Sequence, residues 1–148
     1  MQTARFAHHS LRAFPLIREC LVRGDAVANK LPRGYGKLKD QLQRALLGAY
    51  LQFIEGAARE GEDRRSRLRT SRAEAGEAAG ALEAALALGL VLAAEPEHII
   101  GLLDSFCAMV TGLGQRSRRP KIREPSGCGS LGTTVDASDS ERLKIRRN

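Results

Sequence analysis

Residues 31–72 read LPRGYGKLKDQLQRALLGAYLQFIEGAAREGEDRRSRLRTSR, and this stretch decides the fold. Its apolar positions, Leu38, Leu42, Ala45 with Leu46, Ala49 and Phe53, recur every three or four residues. That is the period of one helix face and not the alternation of a strand. Lys37, Gln41, Arg44, Gln52 and Glu55 fall on the other face. Pro32, Gly34 and Gly36 keep any upstream helix from running in, and the chain turns at Gly61 after Glu55-Gly56-Ala57-Ala58-Arg59. A second helix is expected to begin near Asp63, whose carboxylate suits an N-cap. The segment therefore reads as helix, glycine-rich corner, helix. Gly34-Tyr35-Gly36 is not a phosphate loop, because no strand precedes it and no Gly-Lys-Ser/Thr follows.

Two more helices flank this pair. Upstream, Phe14, Ile17, Cys20 with Leu21, and Val27 predict a helix over 13–28, with Pro15 tolerated in the first turn and Gly24 a weak point. Downstream, the second helix of the quoted stretch is expected to run to about Leu92. From Ala73 to Ala94, 13 of 22 residues are Ala or Gly, so another backbone can approach closely, and Gly76 and Gly80 are the expected points of closest approach. Glu95-Pro96-Glu97 then opens a fourth helix with Pro early and acids at its positive end. Its core face is Ile99, Ile100, Leu103, Phe106 with Cys107, and Val110, and it should end near 112–114.

Four helices on short connections predict an all-α, antiparallel up-down four-helix bundle over residues 11–115. Residues 1–10 read as a flexible leader. After Gln115, Pro120, Pro125, Gly127 and Gly129 interrupt a polar, charged composition, which predicts a disordered basic tail over 116–148. The charge is uneven: residues 1–115 hold 15 Lys/Arg against 13 Asp/Glu, and the tail 9 against 4. Most of the net +7 is therefore a property of the tail, where Arg116, Arg118, Arg119, Lys121 and Arg123 stand close together without interleaved aromatics.

Several function classes are disfavoured. The apolar run 78–94 is short of the ~20 residues of a membrane span and contains Glu83, so no membrane partner is expected. No basic–apolar–cleavage pattern opens the chain. Cys20, Cys107 and Cys128 have neither metal-site nor disulfide-framework spacing, which fits a reducing, cytoplasmic setting. His8 and His9 lack a visible third ligand, and Glu74 with Glu77 lacks the Glu-x-x-His pair of a di-metal bundle. No nucleophile has a base and an orienting group beside it. No enzyme, metal or cofactor is expected.

The strongest candidate site is the arginine cluster Arg64, Arg65, Arg67, Arg69 and Arg72. At about 100° per residue, Arg65, Arg69 and Arg72 form one stripe, roughly 90° from the apolar face of Leu68, Ala75, Ala79, Leu82 and Leu86. Guanidinium groups in that arrangement can hold phosphates in bidentate fashion. The same stripe can equally be a solvated or interface ion-pair row, with Glu60, Glu62 and Asp63 within reach.

The order LPxGYG, LxDQLxRA and then xxEGAxR resembles the four-helix bundle family of the 23S ribosomal RNA intervening-sequence proteins. That family includes the accessory variability protein of diversity-generating retroelements. The resemblance spans roughly 11–113, and Glu55, Gly56 and Arg59 match the family's Glu-Gly-x-x-Arg ending of the second helix. Arg72 and Glu77 stand at places matching its third helix, whereas Gln52 and Gly48 replace the usual Asn and Ser. The resemblance implies a structural role for Glu55, Gly56 and Arg59, and Arg72, at its family position, is expected either to pair with Glu55 across the second and third helices or to touch RNA. It further implies a bacterial homopentamer, a non-enzymatic accessory protein for structured RNA or an RNA–DNA hybrid, and a reverse transcriptase as a partner. The rival expectation is a protein-interaction scaffold without nucleic-acid binding, its arginines used in intersubunit ion pairs.

Overall fold

The computed structural model describes residues 6–116, which contain four α-helices, a short 3-10 turn and no strand. The helices are α1 (Ala13–Asn29), α2 (Gly36–Ala57), α3 (Gly61–Ala87) and α4 (Ala94–Arg116). They form a bundle-like arrangement in which α2 packs most extensively on α3, α1 touches α2 and α4, and α3 touches α4. Residues 117–148 of the expected tail and residues 1–5 of the expected leader lie outside the described residues, as does Cys128, whereas Arg116 belongs to α4. Among the described residues, no helix is long and apolar enough to cross a membrane.

Each helix buries one stripe with alternating three- and four-residue steps. In α1 it is Ala13, Ile17, Cys20, Gly24 and Val27, and in α4 it is Pro96, Ile99, Leu103, Phe106 and Val110. This spacing presents a narrow apolar seam to the bundle centre. Helix α2 contributes Leu42, Ala45, Leu46, Ala49 and Phe53, and α3 contributes Leu68, Ser71, Ala75, Ala78, Leu82 and Ala85. The centre of the bundle is the edge-to-face pair of Phe53 and Phe106, with ring centroids 5.4 Å apart. Ser71 is the one buried polar residue among the described residues, and its hydroxyl donates to the Ala49 carbonyl at 2.7 Å. The hydroxyl is thereby satisfied where an unpaired one would be costly.

Several expectations need correction. Asp63 is not the N-cap of α3: the cap position is Glu60, Gly61 adopts φ +60°, and Asp63 sits in the first turn. Helix α3 stops at Ala87 and not near Leu92, because Gly89 takes φ +66° and closes the helix. Gly89 N donates to Leu86 O at 2.9 Å and Leu90 N to Ala85 O at 3.0 Å, the paired bonds of a Schellman ending. Helix α4 continues through Gly112 and Gly114 to Arg116. Residues 7–10 of the expected leader form a 3-10 turn, with the rings of Phe6, His8 and His9 gathered against Phe14 at the start of α1.

The glycine contacts also fall elsewhere. Gly76 and Gly80 face open space, with nothing within 4 Å of where a Cβ would stand. The tight positions are Gly24, where a Cβ would lie 2.3 Å from Leu46 Cδ1, and Gly48 and Gly56 on α2, which receive Glu74 and Leu68 of α3. The two kinds of glycine should respond oppositely to alanine. Gly76→Ala is expected to stabilise by up to ~1 kcal/mol through helix propensity. Gly24→Ala gains the same propensity but must displace the fully buried Leu46 side chain, and overpacking of about 1–3 kcal/mol outweighs it. Thermal melts of the two variants should therefore move in opposite directions.

Candidate nucleic-acid interface

Helix phase sorts the five arginines into two groups. Arg65, Arg69 and Arg72 come together along one cleft of about 170 Å³ between α3 and α4, whose far wall is Val110, Thr111 and Gln115. Arg67 lies on the other side of α3, about 200° from Arg65 at 100° per residue. It bonds Glu55 of α2 at 3.1 Å and Gln52 at 3.2 Å. Arg64 is half-buried and makes no ion pair among the described residues. The stripe read from the sequence is a real surface row, but only three of the five arginines belong to it.

Arg72 does not pair with Glu55. Its Nη1 donates to Thr111 Oγ1 at 3.1 Å, so it ties α3 to α4 and leaves Glu55 to Arg67. Thr111 is itself held by its bond to the Cys107 carbonyl at 2.8 Å. The three positions at the end of α2 collect at the α2–α3 corner. Glu55 pairs with Arg67, Arg59 with Asp63 at 2.6 Å, and Gly56 between them leaves room for Leu68.

Glu62 is the counter-charge of the row. It accepts from Arg65 Nε at 2.8 Å and from Arg69 Nη2 at 3.1 Å. These bonds, that from Arg65 first, hold its carboxyl below the usual carboxylate range. Whatever stability the pairs add is therefore present at neutral pH and lost as pH falls through that lowered value. Glu62 and Arg69 are both about two-thirds exposed, so the pairs compete with water and with salt. An incoming phosphate can displace the carboxylate from such a row.

Among the described residues, no group of three or more His, Cys, Asp or Glu is placed to hold a metal ion. The Cys20 thiol is buried and pushed up to about 12 by that burial, and Cys107 is raised for the same reason, so neither is an activated nucleophile. What the cleft offers is three guanidinium groups, a hydroxyl and an amide around a half-open apolar floor. That donor set suits anionic oxygens. Thr111 and Gln115 were not foreseen: they lie some forty residues from the arginines in sequence, and only the packing of α4 on α3 brings them opposite. No protein-family model and no curated protein matches the chain.

Proposed function

We propose that this chain is a non-enzymatic nucleic-acid-binding accessory protein whose α3 arginine row holds the phosphates of structured RNA. The convergence of Arg65, Arg69 and Arg72 on one cleft carries the reading. Phosphate contacts of this kind fix register and orientation without reading sequence, as expected of a protein that grips an RNA by shape. An RNA–DNA hybrid has a similar backbone geometry and would be held the same way.

The helices are read as an antiparallel up-down bundle. Supporting this, late α1 meets early α4 through Arg23 and Glu95, late α2 meets early α3 through Glu55 and Arg67, and Arg72 of α3 meets Thr111 near the end of α4. The family resemblance adds a homopentamer, in which the row would repeat five times around a ring and gain by multivalency. It also adds a reverse transcriptase as the protein partner, and the cysteine spacing fits a cytoplasmic setting.

Glu62 provides a test with a distinctive sign. Glu62→Gln keeps the side chain's size but removes the charge that competes for Arg65 and Arg69. Binding of a fluorescent RNA hairpin at low salt is expected to tighten about 3- to 10-fold. Unchanged or weaker binding would remove the row from the interface.

The scaffold reading is favoured by one observation, the exposed apolar strip of Val22, Leu47 and Leu51 across α1 and α2. Salt-insensitive assembly together with protein free of nucleic acid after purification would select it.

A further inference from the structure

The two walls of the arginine cleft are chemically unlike. On α3, Arg65, Arg69 and Arg72 present guanidinium groups, which donate hydrogen bonds and accept none. The α4 wall carries no charge, and its polar members, Thr111 and Gln115, stand one helical turn apart on the same face. Thr111 uses part of its hydroxyl within the fold: Oγ1 donates to the Cys107 carbonyl at 2.8 Å and accepts from Arg72 Nη1 at 3.1 Å. A hydroxyl oxygen has two lone pairs, so one remains to accept from a ligand. Gln115 is exposed, and its side-chain amide makes no hydrogen bond among the described residues. Its carbonyl and its two N–H bonds are therefore all open. Beside them Gly114 leaves the cleft clear, since a Cβ there would meet nothing within 4 Å.

A phosphate accounts for only part of this arrangement. Its oxygens accept, so they match the arginines and the N–H groups of Gln115, but they leave Thr111 Oγ1 and the Gln115 carbonyl without a donor. An acceptor that a ligand covers and does not satisfy loses its bond to water and weakens binding. What satisfies both walls is an anion with a hydroxyl donor beside it. Arg72 and Thr111 are in direct contact, so the two chemistries meet at one point of the cleft. In a ribonucleotide backbone the 2′-hydroxyl stands on the carbon next to the one that carries the 3′-phosphate, and it both donates and accepts. Deoxyribose offers the phosphate without the hydroxyl. The apolar floor of Leu68 and Val110 suits the carbon face of a sugar ring.

We propose that Thr111 and Gln115 read the 2′-hydroxyl of the strand whose phosphates lie on Arg65, Arg69 and Arg72, so that the cleft selects ribose over deoxyribose. It rests on the reading of the α3 row as a phosphate site and adds the α4 wall as its specificity determinant. Arg72 joins the two, with Nη1 on Thr111 and its remaining N–H groups available to a phosphate. Neither α4 contact touches a base, so the site distinguishes the sugar and not the sequence. An RNA–DNA hybrid carries the hydroxyl on one strand and is held by that strand.

The test uses the full chain and two fluorescent hairpins of one sequence, RNA and the same RNA with fluorine in place of every 2′-hydroxyl. The fluoro hairpin keeps the A-form helix and lacks the donor, so shape does not separate the two. RNA is expected to bind about 10-fold tighter, as one or two neutral hydrogen bonds provide. The gap should persist across a salt series with parallel slopes, because the hydroxyl carries no charge. In T111V/Q115A the RNA affinity should fall to that of the fluoro hairpin, whose own affinity changes by no more than about 2-fold. Gln115→Ala alone, which breaks no side-chain bond among the described residues, should close part of the gap. Equal binding of the two hairpins to the unsubstituted chain overturns the proposal. So does a gap that survives T111V/Q115A, or a loss in that variant that is the same for both hairpins. Binding of neither hairpin overturns the α3 row itself, and the α4 wall with it.

Discussion

Replacing Phe53 with Ala is expected to cost about 3–5 kcal/mol of folding stability, and Phe106→Ala a similar amount. Both rings are fully buried, and they meet edge to face at 5.4 Å across the bundle centre, joining α2 to α4. The chain has only four Phe and no Trp, and the neighbouring stripes of α2 and α3 are rich in alanine, so no large side chain stands ready to fill the void. A domain of this size has about 5–15 kcal/mol in hand, so the loss removes a large part of it and should lower Tm by more than ~10 °C. The double variant should lose less than the sum of the two, because both rings border one cavity and share one aromatic contact. Urea titration of the two single variants and the double checks all three statements. A loss under ~1 kcal/mol for either single variant would mean that the rings do not form the centre.

Much of this core was legible because helix periodicity is a local property. Ile17, Cys20, Leu42, Leu46, Phe53, Ile99, Leu103 and Phe106 are all read as core from three- and four-residue spacing, and all are buried. The start of α1 follows from Pro15 in its first turn, and the separation of α1 from α2 from Pro32 and Gly34. The end of α3 was missed because Leu86, Leu88, Leu90 and Leu92 continue an apolar run past the true stop. What ends the helix is the positive φ of Gly89, and sequence alone does not distinguish that glycine from Gly76 or Gly80, which stay helical. Which glycines touch a neighbour depends on helix phase against a partner helix. Gly24 reads as a weak point in isolation, yet it is where Leu46 enters α1.

The site divides along the same line. The row of Arg65, Arg69 and Arg72 is a matter of spacing on one helix, and it was legible. The partners are not. Arg72 and Arg67 are about 140° apart on α3 at 100° per residue, so only the rotation of α3 decides which of them meets Glu55. That rotation is set by the burial of Leu68, Ser71 and Ala75 against α2, and it turns Arg67 to Glu55 and Arg72 to Thr111. Arg116 reads as the first residue of the basic tail, whereas it belongs to the last turn of α4.

Loss of the three row arginines should have the largest effect on binding. In the full chain carrying R65A/R69A/R72A, affinity for a structured RNA is expected to fall about 100-fold or more at low salt. The charge-assisted contacts go together, and nothing on α4 replaces them. Because the basic tail is the same in both proteins, it sets a common background and cannot account for the difference. Salt dependence separates lost phosphate contacts from a merely damaged fold, since each contact contributes about 0.7–0.9 to the slope of log affinity against log salt. The decisive measurement is therefore the binding of a fluorescent structured RNA to the unsubstituted chain and to R65A/R69A/R72A across a salt series. The α3 row as a phosphate clamp requires a slope shallower by about 2–3 in the variant, with the melting temperature close to that of the unsubstituted protein. Equal slopes and equal affinities would contradict it and leave Arg65 and Arg69 as surface ion-pair partners of Glu62 and Arg72 as a tie to Thr111.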